Sequence, residues 1–190
     1  MKKLLLGAIL LFSIISVGQE IKFGGKIGIN NSTVSSSYAS YSSTIGLQIG
    51  GFASYNFSDK FVVQPELLYS MQGASSPLAK LTLNYLNIPV MGKYYVADKF
   101  NLEAGPQIGF LLSTDTASPN LGTSKSTPPS KNSIDFGINF GAGYDVNDKI
   151  SIDLRYTKGL SNIYSNWVLG GETIRMYNSN IGVSLTYRLK

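Results

Sequence analysis

From Ile21 onward apolar and polar residues alternate with a period of two, and no stretch sustains a helical period. In the first segment Ile21, Phe23, Gly25, Ile27 and Ile29 oppose Lys22, Gly24, Lys26, Gly28 and Asn30. The second places Ile45, Leu47, Ile49, Gly51, Ala53, Tyr55 and Phe57 on one face. The third sets Phe61, Val63, Pro65, Leu67, Tyr69 and Met71 against Val62, Gln64, Glu66, Leu68, Ser70 and Gln72. The fourth, Tyr85 to Tyr95, slips phase between Tyr85 and Leu86, which predicts a bulge. In the fifth, Phe100, Leu102, Ala104, Ile108, Phe110 and Leu112 oppose Asn101, Glu103, Gln107 and Gly109. The sixth sets Phe136, Ile138, Phe140, Ala142 and Tyr144 against Asp135, Gly137, Asn139, Gly141, Gly143 and Asp145. The seventh runs from Ile150 to Thr157, and the eighth from Ile181 to Leu189.

The connections are of two kinds. Ser58-Asp59-Lys60, Ala97-Asp98-Lys99 and Asn147-Asp148-Lys149 are tight turns. The other four are longer and polar, and Asn31–Ser43 and Thr114–Ser133 are read as loops. Counted from the first strand, all long connections fall at one end and all tight ones at the other. That is the plan of a bacterial outer-membrane barrel, with short periplasmic turns, longer outer loops and periplasmic termini. Closure satisfies every backbone polar group inside the sheet, as lipid demands. The predicted fold is therefore all-β, an eight-stranded antiparallel up-and-down transmembrane β-barrel. The aromatic positions agree with it. Phe23, Tyr55, Phe57, Phe61, Tyr94, Phe100, Tyr144 and Tyr187 form a girdle at the tight-turn end, and Tyr69, Tyr85, Phe110 and Phe136 form one at the other.

Composition sharpens the same reading. Charged residues are 14% of the 190, well below a soluble domain, while aromatics reach 12% and Gly counts 20. The net charge of +5 comes without any Lys/Arg run, so nucleic acid is not an expected partner. Cys and His are both absent, which removes disulfides, thiolate metal sites and every His-based catalytic arrangement. Met1-Lys2-Lys3, the apolar run Leu4–Ile15 and Ser16-Val17-Gly18 describe a signal peptide over residues 1–18. Cleavage there leaves residues 19–190 as the barrel domain.

With the apolar face toward lipid, the other face lines the lumen. It carries Lys22, Lys26, Lys93, Arg155 and Arg188 opposed by Glu66, Glu103, Asp135, Asp145 and Asp153, five charges of each sign. Such a set makes either a polar conduit or small-solute site, or a network of ion pairs and hydrogen bonds, and the narrow interior of an eight-stranded barrel favours the network. Glu66 and Glu103 could act as acid and base, but so many cations nearby point to salt bridges instead. No enzymatic activity, cofactor or metal is expected. Lumen-facing glycines make room for large neighbours, and Pro65, Pro89 and Pro106, on consecutive strands, predict bulges or ladder gaps. Tyr164 and Trp167, in an apolar last loop with Ile163, Val168 and Leu169, are either an outer-loop contact surface or the top of the seventh strand.

Tyr85-Leu86-Asn87-Ile88-Pro89 followed by Lys93-Tyr94-Tyr95, with Pro65-Glu66-Leu67 and Leu102-Glu103-Ala104-Gly105-Pro106, resembles the PorT-like outer-membrane β-barrel family of Bacteroidetes-type bacteria. Asn87 stands where that family usually carries an acidic residue, and the C-terminal Tyr187-Arg188-Leu189-Lys190 lacks a terminal aromatic. The resemblance implies fold and outer-membrane location. It also implies contact with outer-membrane lipid and lipopolysaccharide, with the barrel-assembly machinery, and with an extracellular or secretion-system protein. The expected function is a non-enzymatic barrel with a filled, charge-paired lumen, acting in envelope structure or through its outer loops. A narrow porin-like channel for ions or small solutes is the alternative, and a soluble lipid-binding barrel in the periplasm is a third.

Overall fold

The computed structural model describes residues 21–36, 42–76, 80–118, 122–126, 133–163, 168–169, 172–173 and 175–189. The strands are β1 (Ile21–Ser36), β2 (Ser42–Asn56), β3 (Phe61–Ser75), β4 (Lys80–Ala97), β5 (Phe100–Ser118), β6 (Gly122–Ser126), β7 (Ile134–Asp145), β8 (Ile150–Gly159), β9 (Val168–Leu169), β10 (Glu172–Thr173) and β11 (Met176–Arg188). Their order is β4-β3-β2-β1-β11-β8-β7-β5, and β4 pairs back onto β5. Eight antiparallel staves thus close on themselves, each beside its neighbour in sequence and β1 against β11. The short β6 extends β5 as a hairpin, and β9 pairs with β10 in a separate ribbon.

Alternation decides which face each residue meets. Ile45 is 74% exposed and Leu154 53%, whereas Lys93 is 2% exposed and Asp153 is fully buried. A soluble barrel would reverse that arrangement. Apolar side chains outside and charges inside suit a solvent of lipid. The tight turns follow from their residues. The Ser58 hydroxyl accepts the Phe61 amide at 3.1 Å, and the Asn147 side-chain oxygen accepts the amides of Lys149 and Ile150, each at 2.9 Å. These local bonds replace ladder bonds where the chain reverses. Beside the first turn, Phe57 and Phe61 meet edge to face at 6.2 Å.

Four sequence expectations change. The Asn31–Ser43 stretch is a strand as far as Ser36, because Ser32 and Val34 continue the inward phase of Lys26 and Asn30. Likewise Thr114–Ser118 and Gly122–Ser126 pair as a hairpin inside the expected loop. Tyr85 does not join the outer aromatic girdle. It is 2% exposed and points inward with Leu83, Asn87, Met91 and Lys93, in one unbroken phase of β4. The expected slip lies instead on β5, where pairing steps from Asn84↔Ser113 to Tyr85↔Leu111 and leaves Leu112 as the extra residue. At the prolines the partner ladder is interrupted with no change of register, opposite Pro65, Pro89 and Pro106. A proline has no amide hydrogen to give. The leader, Tyr164 and Trp167 lie outside the described residues.

Candidate functional site

The lumen is organised around six ions contributed by five staves. Lys26 comes from β1, Glu66 from β3, Lys93 from β4, Glu103 from β5, and Asp153 and Arg155 from β8. Inward alternation points each into the lumen, and each lies within six residues of the tight-turn end of its strand. Lys26 Nζ lies 3.3 Å from Glu66 and 3.2 Å from Asp153. Lys93 Nζ lies 3.0 Å from Asp153 and 3.4 Å from Glu103. Arg155 closes the circuit. Its guanidinium donates through Nη1 to Glu66 at 2.8 Å and through Nη2 at 3.0 Å. It also donates through Nε to Glu103 at 2.8 Å and through Nη2 at 3.1 Å. Signs alternate around the whole ring, Lys26–Glu66–Arg155–Glu103–Lys93–Asp153, and its three cations and three carboxylates cancel.

The ring is packed as well as paired. Gln64 donates to Glu66 at 2.8 Å and Thr186 to Asp153 at 2.7 Å, so carboxylate lone pairs left by the cations are used. Gly141 and Gly143 on β7 are required by the crowding. A Cβ at Gly141 would stand 2.8 Å from Glu103 Oε1, and one at Gly143 would stand 2.8 Å from Asp153 Oδ1. Charges stripped of water are costly, and only this degree of pairing and bonding makes the burial tolerable.

The lumen continues differently on either side. Toward the long loops lie hydrogen-bonded amides and hydroxyls. Asn30 donates to Ser70 at 3.2 Å, Thr157 to Asn139 at 2.6 Å, and Asn178 to Gln72. The cavity between Tyr85, Asn87, Gln107 and Asn178 holds about 10 Å³, which is at the lower limit for a single water. Above it Val34, Ala74, Ile163 and Met176 form an apolar cap. Toward the tight turns the lumen opens into a vestibule of about 870 Å³, with Lys93 and Gln64 at its floor. There Asp145 accepts from Arg188 at 2.7 Å, Tyr95 at 2.9 Å and Ser151 at 2.6 Å.

The ten expected lumen charges therefore fall into separate groups. Six make the ring. Arg188 and Asp145 pair at the vestibule wall, and Lys22 is exposed at its mouth. Asp135 sits near the opposite end, beside Tyr85 and Asn178 and with no ion pair among the described residues. Sequence reasoning missed Gln64, Thr186 and Tyr95 as the ring's and vestibule's hydrogen-bonding partners. Their inward parity was legible, but parity does not reveal which cross-lumen neighbour a side chain will meet.

Among solved structures, Neisserial surface protein A matches with a TM-score of 0.62 at 16% identity, over 88% of this chain and 97% of that one. The Yersinia pestis attachment invasion locus protein Ail matches with a TM-score of 0.52 at 15% identity, over 90% and 99%. Ail in complex with the heparin analogue sucrose octasulfate gives a TM-score of 0.54 at 16% identity, over the same shares. At such identities the likeness establishes the fold, a closed outer-membrane barrel. No curated protein matches in sequence. The family model described as outer membrane protein beta-barrel domain matches residues 17–165, most of the chain and every ring residue. On that match, the chain belongs to the outer membrane protein beta-barrel domain family.

Proposed function

We propose that this chain is a non-enzymatic outer-membrane barrel whose lumen is a structural plug and whose task is carried by its long-loop end, facing outward. The observation that carries this reading is the closed ring of six ions. Both lumenal glutamates are held by Arg155 in bidentate fashion, so neither is free to take or give a proton to a substrate. A passing ion would have to break several mutually satisfied pairs at once. The proposed orientation puts the tight turns and termini in the periplasm, after removal of residues 1–18 as a signal peptide. The blocks around Pro65, Pro89 and Pro106 support a place in the PorT-like branch, with an extracellular or secretion-system protein as partner. Ail, the attachment invasion locus protein solved in complex with the heparin analogue sucrose octasulfate, is a precedent for a barrel of this fold that takes a ligand.

Site-specific photo-crosslinking in intact cells tests the reading. A crosslinker at Ser42, beside the long loops, should capture a discrete protein, and one at Lys60, in a tight turn, should not. Capture only from Lys60 would contradict the proposed outward task. The vestibule of about 870 Å³ favours a second reading, the mouth of a narrow channel gated by the ring. Conductance separates the two.

A further inference from the structure

Two buried oxygens without partners share one small cavity in the upper lumen. Asn178, 6% exposed, donates through Nδ2 to Gln72, whose own amide nitrogen donates to Ser70 at 3.2 Å. That relay fixes the amide's orientation and leaves Asn178 Oδ1 buried with no hydrogen bond among the described residues. The Asp135 carboxylate accepts the backbone amide of Ser161, and its Oδ1 is likewise buried and unpartnered. Both residues line the cavity of about 10 Å³ that lies between the ring and the apolar cap. The other orphaned atoms, on Asn30, Thr44, Asn101, Thr114 and Asp115, line neither this cavity nor the vestibule.

Two acceptors facing one water-sized space call for an occupant that presents hydrogen or positive charge. A water would satisfy their hydrogen bonding but leave the Asp135 charge unbalanced. Among the described residues no lysine or arginine lines the cavity, and Asp135 is its one carboxylate. The cations of the ring are committed to its own carboxylates, and Arg188 to Asp145. Asn87, Gln107 and Asn180 bring further amide oxygens to the same walls from β4, β5 and β11. Oxygen donors suit a hard cation, and one carboxylate among neutral oxygens suits a single charge better than two. A space at the lower limit for a water favours sodium over the larger potassium. We propose that this cavity is a binding site for one dehydrated sodium ion, held between Asp135 Oδ1 and Asn178 Oδ1. Sodium there completes the charge balance of the filled lumen and ties β7 to β11 across the intervening β8. The site requires neither the outward orientation of the long loops nor an outer partner.

The urea midpoint of the purified full chain in nonionic micelles, read by circular dichroism at constant ionic strength, tests this. Replacing choline chloride with sodium chloride should raise the wild-type midpoint saturably, by about 0.5 M at tenfold over half-saturation. Potassium should give a smaller shift. Asp135→Asn should abolish the sodium response, while Asp59→Asn, in a tight turn, should keep it. Asn87→Asp adds a second carboxylate to the cavity and should turn the preference to calcium, which keeps the test decisive if Asp135→Asn does not fold. Equal midpoints in sodium and choline, or a sodium response that survives Asp135→Asn, would overturn the proposal. So would a wild-type preference for calcium or potassium, or an Asn87→Asp variant indifferent to calcium. Sodium-independent stability in a barrel that stays closed to current would refute this site and leave the plug standing.

Discussion

Removing Arg155 would leave Glu66 and Glu103 facing one another across the lumen with two lysines to serve three carboxylates. Its guanidinium makes four of the ring's hydrogen bonds, and its planar fork reaches two carboxylates that a lysine could serve only singly. Breaking a buried pair by deleting one partner costs about 3–5 kcal/mol. Arg155→Ala should therefore lower barrel stability by roughly that amount, read as the urea midpoint of heat-modifiable gel migration. Lys22→Ala, at an exposed position outside the ring, should leave the midpoint unchanged. A shift no larger for Arg155→Ala than for Lys22→Ala would show that the ring does not hold the staves together. At this scale the sequence was informative about charge and face but silent about partners. Glu66, Glu103 and Arg155 read as inward because their strands alternate cleanly. That Arg155 bridges β3 and β5 depends on stagger between staves, which no single strand encodes.

Strand identity was the easiest feature to read, and strand length the hardest. Lipid imposes apolar residues on outward positions, so alternation is loud inside the membrane. Past the headgroups the outward face meets water and is no longer held apolar, so the signal fades. Ser32, Thr114 and Gly122–Ser126 then look like loop while still pairing. Tyr85 misled for a related reason. It is aromatic at the height of a girdle, yet it fills the lumen beside Gly109, whose lack of a side chain leaves it room. The β5–β6 hairpin lies beyond the ring, and its residues contribute nothing to the six ions. Replacing residues 116–126 with a short Asn-Gly turn should leave folding yield and heat-modifiable migration unchanged, because closure of β4 on β5 persists from Ala97 to Ser113. Loss of the folded band would mean that the hairpin nucleates closure of β5.

Across the whole molecule three layers are stacked along the barrel axis: an open vestibule, a neutral ring of buried ions, and a hydrogen-bonded filling beneath an apolar cap. Of the vestibule and the inner cavity among the described residues, the vestibule alone has room for a solute larger than a single water. Fold and membrane location were legible because lipid outside and closure of the sheet constrain nearly every residue. The job was not, because outer loops and lumen neighbours answer to a partner and a geometry that alternation does not record. Single-channel recording in planar bilayers tests the central claim that the ring closes the lumen. The wild type should give no stable conductance, and Arg155→Ala should give discrete openings that Arg155→Ala with Glu103→Ala and Glu66→Ala enlarges. Reproducible wild-type openings of fixed amplitude, altered by Lys93 or Arg155 substitution, would contradict the account and make the barrel a channel.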